Sequence, residues 1–81
     1  MKDQIFQIAD IYVPAARRQT VDLPTVEALA ESILEQGQTD PIMVRTDGKR
    51  FILVEGLQRL EACRLLGEKT IIGILVQAKR R

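Results

Sequence analysis

The sequence contains no histidine and a single cysteine, Cys63, among its 81 residues. One thiol cannot form an intrachain disulfide, and the chain also lacks the histidine ligands of common zinc sites and the general base of Ser-His and Cys-His pairs. Cys63 falls on the apolar side of a predicted helix, which favours packing in the core over a nucleophilic role. These absences disfavour most classes of enzyme.

The sequence also has little excess of either charge. Its 12 lysines and arginines stand against 11 aspartates and glutamates, which gives a net charge of +1. A dedicated nonspecific nucleic-acid-binding protein is expected to show a clear basic excess, so this class is disfavoured. We interpret the short basic run at residues 79–81 as a solvated end of the chain.

Long apolar runs are missing as well. No segment approaches the length that spans a membrane, and the N-terminal residues lack the cleavage site of a signal peptide. We therefore expect a cytoplasmic protein with no membrane partner. The chain is 46% hydrophobic and 28% charged, which is typical of one globular domain, placed here at residues 1–81. A domain of this size buries only about 60% of the surface of its unfolded chain, so its stability margin should be narrow.

Four short segments have the composition of strands. They are residues 4–11, 41–45, 50–54 and 70–76. An Asp-Gly turn joins the second and third as a hairpin. Two segments with helical periodicity complete the order β-α-β-β-α-β, which indicates an α+β fold. Pattern alone would suggest a ferredoxin-like, split β-α-β arrangement.

The first predicted helix is the most strongly marked element. Asp22 is a candidate N-cap, Pro24 lies in the first turn where its missing N–H costs nothing, and Gly37 ends the helix. Apolar residues that recur at helical spacing should face the core: Val26, Leu29, Ala30, Ile33 and Leu34. Three glutamates on the opposite face form either a solvated surface or a docking surface for a basic partner: Glu27, Glu31 and Glu35.

The second helix begins at a junction that suits an anion. A strand-like run at residues 51–54 is followed by Glu55 and Gly56, and residues 57–66 then carry helical spacing up to Gly67. The first turn of a helix has unpaired N–H groups and the positive end of the peptide dipole. A glycine beside it lets a phosphate approach closely, so the junction predicts a phosphate site.

Arginines near this junction allow two interpretations each. Arg59 shares a helix face with apolar residues, so its guanidinium should either pair with Glu55 to close the turn or clamp a phosphate. Residues 15–20 have no period and are predicted to form a loop. Arg17 and Arg18 on that loop are either solvated or positioned near an anion.

Four motifs, in order along the chain, resemble those of the N-terminal domain of ParB-type chromosome and plasmid partition proteins. They are Pro14 followed by Arg17 and Arg18, Asp22 with residues 29–33 (Leu-Ala-Glu-Ser-Ile), residues 40–45 (Asp-Pro-Ile-Met-Val-Arg) and residues 56–62 (Gly-Leu-Gln-Arg-Leu-Glu-Ala). The resemblance runs from residue 8 to residue 76 and extends more distantly to sulfiredoxin, which shares the fold. It implies a ParB/sulfiredoxin-like α+β fold with a small mixed sheet and two helices.

The last motif departs from both families. ParB proteins have Gly-Glu-Arg-Arg-x-Arg-Ala there, whereas Leu57, Gln58 and Glu61 replace its glutamate and two of its arginines, and Arg59 remains. Sulfiredoxin has Gly-Gly-Cys-His-Arg at residues 55–59, so its reactive cysteine corresponds to Leu57. Leucine has no nucleophilic atom, and sulfinic acid reduction is therefore excluded.

The resemblance also implies a function. ParB domains of this kind bind CTP, close two subunits over DNA, and leave sequence recognition to a separate domain. Sulfiredoxin binds ATP with a lysine, a serine and a threonine of its first helix, which align with Thr25, Ala28 and Ser32 here. The resemblance thus leaves Thr25 and Ser32 as candidate polar contacts to a nucleotide, and Ser32 is alternatively an ordinary surface residue.

The expected ligand is CTP or ATP with Mg²⁺. The expected partners are DNA, reached through an associated domain or protein, and a second copy of the chain. The predicted site comprises these residues: Arg17, Arg18, Ser32, Glu55, Gly56, Leu57, Gln58 and Arg59. In this hypothesis Gly56 and the N–H groups after it hold phosphate, and the arginines neutralise it. One alternative is an interaction or dimerisation module with the same fold and no ligand. A second alternative is an enzyme, either a ParB-like nuclease or a kinase, although Glu55 is the only acid beside the junction.

Overall fold

A mixed sheet of five strands and three helices make up residues 2–77, the part of the chain that the computed structural model describes. The strands are β1 (Asp3–Gln7), β2 (Ile11–Tyr12), β3 (Ile42–Thr46), β4 (Phe51–Glu55) and β5 (Thr70–Leu75). The helices are α1 (Ala15–Arg18), α2 (Leu23–Gln36) and α3 (Leu57–Leu65). The basic run at residues 79–81 lies outside the described residues. Within residues 2–77, no helix combines the length and apolar character needed to cross a bilayer.

The strand order is β1-β5-β3-β4-β2, with both parallel and antiparallel pairs. β1 pairs antiparallel with β5 and β3 pairs antiparallel with β4, whereas β3–β5 and β2–β4 are parallel. In a β-α-β unit the strands before and after the helix are parallel. Here β4 and β5, which flank α3, run in opposite directions on either side of β3. The ferredoxin-like interpretation is therefore wrong. The predicted α+β fold with a small mixed sheet is confirmed.

The predicted first strand at residues 4–11 is two strands at opposite edges of the sheet. A 3-10 turn, Ile8–Asp10, separates β1 from β2. Ile8 and Ile11 are both 5% exposed. Residues three apart would face opposite sides of a continuous strand, but a 3-10 turn brings both to one side. The backbone N–H of Ile8 donates to the Lys69 carbonyl at 2.9 Å, which fixes the turn against the start of β5.

The predicted loop at residues 15–20 contains the short helix α1, so the structure has one more helix than the sequence indicated. Pro14 precedes it, and its carbonyl accepts hydrogen bonds from the N–H groups of Arg17 and Arg18. A helix of four residues makes only one turn, so it leaves no periodic pattern in the sequence.

The core lies between the sheet and the helices, and α3 contributes most to it. Leu60 and Ala62 are fully buried and Cys63 is 2% exposed, which confirms the packing role predicted for the cysteine. Burial raises the pKa of the Cys63 thiol, and the negative charge of Glu68 raises it further. The thiol therefore stays protonated. Cys63 is therefore a small apolar residue in this fold.

The apolar stripe of α2 is buried only in its first part. Val26 and Ala30 pack against Ala62 of α3, and Leu29 and Ile33 are partly buried. Leu34 is 74% exposed, so its predicted place in the core is wrong. α2 has 14 residues and α3 has nine, so α3 is too short to cover the last turns of α2.

Leu60→Ala should lower the free energy of unfolding by about 2–5 kcal/mol, because it leaves a cavity in a fully buried position. Leu34→Ala is the matched control and should change that free energy by no more than about 0.5 kcal/mol. Urea denaturation followed by circular dichroism measures both. Equal losses in the two variants would contradict the assignment of Leu60 to the core and Leu34 to the surface.

The predicted cap of α2 is confirmed. The Asp22 carboxylate accepts hydrogen bonds from both the hydroxyl and the backbone N–H of Thr25, and a proline lies in the first turn. These two hydrogen bonds hold the pKa of Asp22 below its ordinary value of 3.8, and the bond from the Thr25 hydroxyl has the larger effect. A carboxyl whose pKa is lowered by folding stabilises the folded state at pH values above its unfolded pKa. This stabilisation is lost as the pH falls through the folded pKa.

The wild-type chain should therefore be more stable than the Asp22→Asn variant by a margin that is constant above about pH 5 and shrinks below about pH 4. Asparagine keeps an acceptor at the cap but does not titrate. The measurement is the free energy of unfolding of both proteins from pH 7 to pH 2.5. Because the pKa of Asp47 is also lowered, by hydrogen bonds from the N–H groups of Lys49 and Arg50, only the difference between the two proteins isolates Asp22. A difference that does not change with pH would refute this role for the carboxylate.

Candidate functional site

The strand–glycine–helix junction has the geometry that the sequence predicted. β4 ends at Glu55, Gly56 has φ +105°, and α3 begins at Leu57. A Cβ at Gly56 would lie 2.6 Å from Cγ2 of Ile42, so both the left-handed backbone and the close approach of Ile42 require glycine there. The turn places the first N–H groups of α3 directly beside the end of the strand.

A cleft of about 410 Å³ lies at this junction. Its walls come from α1, the first turns of α2, the start of β3 and the segment from β4 to α3. Six of the eight residues predicted for the site line it: Arg17, Glu55, Gly56, Leu57, Gln58 and Arg59. Thr25, which the resemblance to sulfiredoxin offered as a nucleotide contact, also lines it, as does Thr20, which no motif indicated.

Arg17 is fixed against the end of β4. Its Nη1 donates a hydrogen bond of 2.8 Å to the Val54 carbonyl. The side chain is part-buried and uses one of the five donors of a guanidinium for this bond. The remaining donors can serve an anion in the cleft, since the bond to Val54 holds the group in place.

The Gln58 side chain joins α3 to the segment before α2. Its Oε1 accepts from the Asp22 N–H at 2.9 Å, and its Nε2 donates to the Thr20 carbonyl at 2.9 Å. The sequence suggested a role only for the N–H of this residue. The structure shows that the side-chain amide is used within the protein, where it holds the turn between α1 and α2 above the cleft.

Arg59 forms its ion pair with Asp40 rather than with the predicted partner Glu55. Its Nη2 lies 3.5 Å from Oδ2 of Asp40, while the Arg59 side chain is 24% exposed and that of Asp40 is 69% exposed. An ion pair with so exposed a carboxylate contributes little, about 0–1 kcal/mol. The guanidinium is therefore held at the cleft but can exchange this partner for an anion of higher charge.

Arg18 and Ser32 do not line the cleft. Consecutive residues of a helical turn point in different directions, so Arg17 and Arg18 diverge once α1 is helical. Arg18 donates from Nε to the Val13 carbonyl at 3.1 Å and lines a separate groove of about 1010 Å³ beside Tyr12. Ser32 lies on α2 two turns beyond Thr25. Their roles in ligand binding stay predictions that the geometry of the cleft does not support.

The electrostatics of the cleft favour an anion at the start of α3. Among residues 2–77, no hydrogen-bond acceptor is found for the backbone N–H groups of Leu57, Gln58 and Arg59. These groups carry the positive end of the helix dipole, and Arg17 and Arg59 add positive charge near it. The described part of the chain has no group of three or more side chains that could hold a metal ion. The arrangement can bind and neutralise a negatively charged group such as phosphate.

The chain matches the family model of the ParB N-terminal domain over residues 4–81. A probable chromosome-partitioning protein ParB from Campylobacter jejuni is 37% identical over 62 residues, which cover 76% of this chain and 22% of that protein. This chain thus spans about a fifth of the length of such curated relatives.

Solved structures show the same fold. Sulfiredoxin from Arabidopsis thaliana superposes with a TM-score of 0.87 at 26% identity, over 96% of this chain and 88% of that one. The C-terminally truncated ParB of Caulobacter crescentus, complexed with CTP-gamma-S, gives 0.81 at 25% identity, over 98% of this chain and 46% of that one. The same Caulobacter protein has also been solved complexed to the centromeric parS site. The family match over residues 4–81 shows that this chain belongs to the ParB N-terminal domain family.

Proposed function

We propose that this domain binds the phosphate of a nucleotide at the β4–Gly56–α3 junction, as part of a DNA partition or DNA-linked process. The observation that carries the proposal is the conjunction of a left-handed glycine, three N–H groups without an acceptor in residues 2–77, and two arginines in one cleft. Each of these features occurs in many proteins. Their convergence on one anion-sized position is what supports a phosphate ligand.

In this proposal each group has a distinct role. The N–H groups of Leu57 and Gln58 donate to phosphate oxygens, and Gly56 allows the phosphate to approach the backbone. The Arg59 guanidinium neutralises the phosphate, and Arg17 approaches it from α1. Glu55 is the carboxylate of the cleft and would hold Mg²⁺ beside the phosphate, since Mg²⁺ is usually bound by one or two carboxylates together with phosphate oxygens.

The comparisons support nucleotide and DNA-linked biology for this family. The Caulobacter ParB complexes contain CTP-gamma-S in one case and the parS site in another. We propose that this domain takes CTP or ATP with Mg²⁺, and that DNA is contacted through an associated domain or protein. A second copy of the chain is the proposed protein partner.

A ligand-free interaction module is the second candidate function. Two observations favour it: Asp40 already pairs with Arg59, and the three glutamates on α2 are all exposed and form an acidic surface. A nuclease is a weaker candidate, because metal-dependent phosphodiester hydrolysis needs carboxylates that converge on the metal. In residues 2–77 no three such side chains converge.

CTP or ATP with Mg²⁺ should shift the amide resonances of Gly56, Leu57 and Arg59 in a ¹H–¹⁵N NMR titration. Arg59→Gln should weaken the affinity about tenfold or more, because it removes a charge-assisted hydrogen bond to phosphate. Arg64→Gln is the matched control on the same helix. Arg64 pairs with Glu61 at 3.5 Å and does not line the cleft, so this variant should bind like the wild type.

The absence of amide shifts at about 10 mM of either nucleotide would refute the proposal, because this concentration exceeds the dissociation constants of ordinary nucleotide sites. Equal weakening by Arg59→Gln and Arg64→Gln would also refute the role of Arg59. Sedimentation velocity tests the second candidate in parallel. Dimerisation that neither nucleotide nor Arg59→Gln changes, together with no amide shifts, would favour the ligand-free module.

A further inference from the structure

We infer that the groove beside Tyr12 is a second binding site, which takes the phosphodiester backbone of a single-stranded nucleic acid. This Tyr12 groove has a volume of about 1010 Å³, and its walls come from the edge strand β2, α1, the turn between β3 and β4, and α3. It shares no lining residue with the cleft at the β4–Gly56–α3 junction. The inference therefore goes beyond the proposed nucleotide site and does not depend on it.

Positive charge is concentrated in the Tyr12 groove. Two carboxylates line it, Asp10 and Glu61, together with four exposed cations: Arg18, Lys49, Arg50 and Arg64. Four cations and two carboxylates give the groove a net charge of +2, compared with +1 for the whole chain. Phosphate is the anion that a nucleic acid presents along its whole length, so the groove complements that backbone in charge.

Two of these arginines are fixed through their Nε atoms. Arg18 donates from Nε to the Val13 carbonyl at 3.1 Å, and Nε of Arg50 lies 3.4 Å from Oδ2 of Asp47. Within residues 2–77, the Nη1 and Nη2 groups of both arginines make no hydrogen bond. Each guanidinium thus keeps a pair of donors for a ligand, and such a pair matches two oxygens of one phosphate.

The ring of Tyr12 brings these two guanidiniums together. The Cζ atom of Arg50 lies 4.0 Å from the ring centroid, and that of Arg18 lies 6.0 Å from it. The two positive groups are therefore no more than 10 Å apart, which is the sum of those distances. Like charges this close repel each other, and an anion that contacts both removes the repulsion. Aromatic rings and arginine planes are also the groups on which unpaired bases stack.

The shape of the groove selects a single strand. A duplex is read by a helix or a β-ribbon that projects into one of its own grooves, whereas the cations here line a concave surface. A volume of about 1010 Å³ is at the upper limit of the roughly 300–1,000 Å³ of small-molecule sites, which suits a short segment of a strand. This contact adds to the DNA contact proposed above through an associated domain or protein and does not replace it.

The test is a fluorescence-anisotropy titration of a labelled single-stranded DNA of about 12 nucleotides with the 81-residue chain. We expect a dissociation constant of roughly 1–100 µM that weakens as salt is added, because bound counterions are released from the strand. A duplex of the same sequence and a glutamate peptide of the same length should bind about fivefold or more weakly, since neither offers an unpaired base. Binding of either as tightly as the single strand, or no binding of the strand, would overturn the inference.

Amide shifts in a ¹H–¹⁵N NMR titration with the same strand distinguish this groove from the nucleotide cleft. We expect the shifts at Tyr12 and Arg50 rather than at Gly56. Shifts confined to Gly56 and Arg59 would mean that the strand occupies the cleft. That result would overturn the inference and support the proposed function.

Arg18→Gln and Arg50→Gln test the two guanidiniums. Each variant should weaken binding about fivefold or more and lower the slope of log Kd against log salt by about 0.7, the value for one contact to a single strand. Lys2→Gln is the matched control, because Lys2 is an exposed cation before β1, at the opposite edge of the sheet from β2. The basic run at residues 79–81 is the same in all these proteins. Equal effects in the three variants would show that net charge, and not the groove, controls binding.

Tyr12→Leu separates stacking from the phosphate contacts. It removes the aromatic ring and no cation, so it should weaken binding about fivefold or more and leave the salt slope unchanged. Thermal unfolding followed by circular dichroism shows that the variant is folded at the temperature of the titration. An unchanged affinity, or a slope lowered as far as in Arg50→Gln, would contradict the role given to the ring.

Discussion

The contact between Gly56 and Ile42 is the constraint on which this fold depends. Ile42 is fully buried, and its side chain occupies the space where any residue at position 56 other than glycine would place a Cβ. Gly73 meets the same side chain from β5, where a Cβ would lie 3.0 Å from Cγ1 of Ile42. Two glycines thus make room for one isoleucine. This packing aligns β3, β5 and the β4–α3 turn, and it sets the position of the cleft.

Local signals in the sequence were sufficient for the junction and for α2. An apolar run followed within two residues by glycine and a helical period predicts a strand, a turn and a helix, and the structure has them at residues 51–65. The cap at Asp22 follows from the same kind of short-range pattern. The resemblance to ParB then supplied the sheet type, which periodicity alone had assigned wrongly.

Other features depend on residues far apart in the chain, and short-range patterns do not contain them. The break between β1 and β2 depends on a hydrogen bond from Ile8 to Lys69, and the partner of Arg59 is Asp40, 19 positions away. Arg17 and Arg18 separate because α1 forms a single helical turn, which leaves no period to detect. Leu34 continues the apolar pattern of α2 but extends past the helix that would cover it.

The bridge formed by Gln58 has a consequence for how the domain moves. One amide group connects the first turn of α3 to Thr20 and Asp22, so the start of α2 and the start of α3 are joined side by side. The starts of the two helices should therefore move as one unit, because a displacement of either would break the hydrogen bonds of this amide.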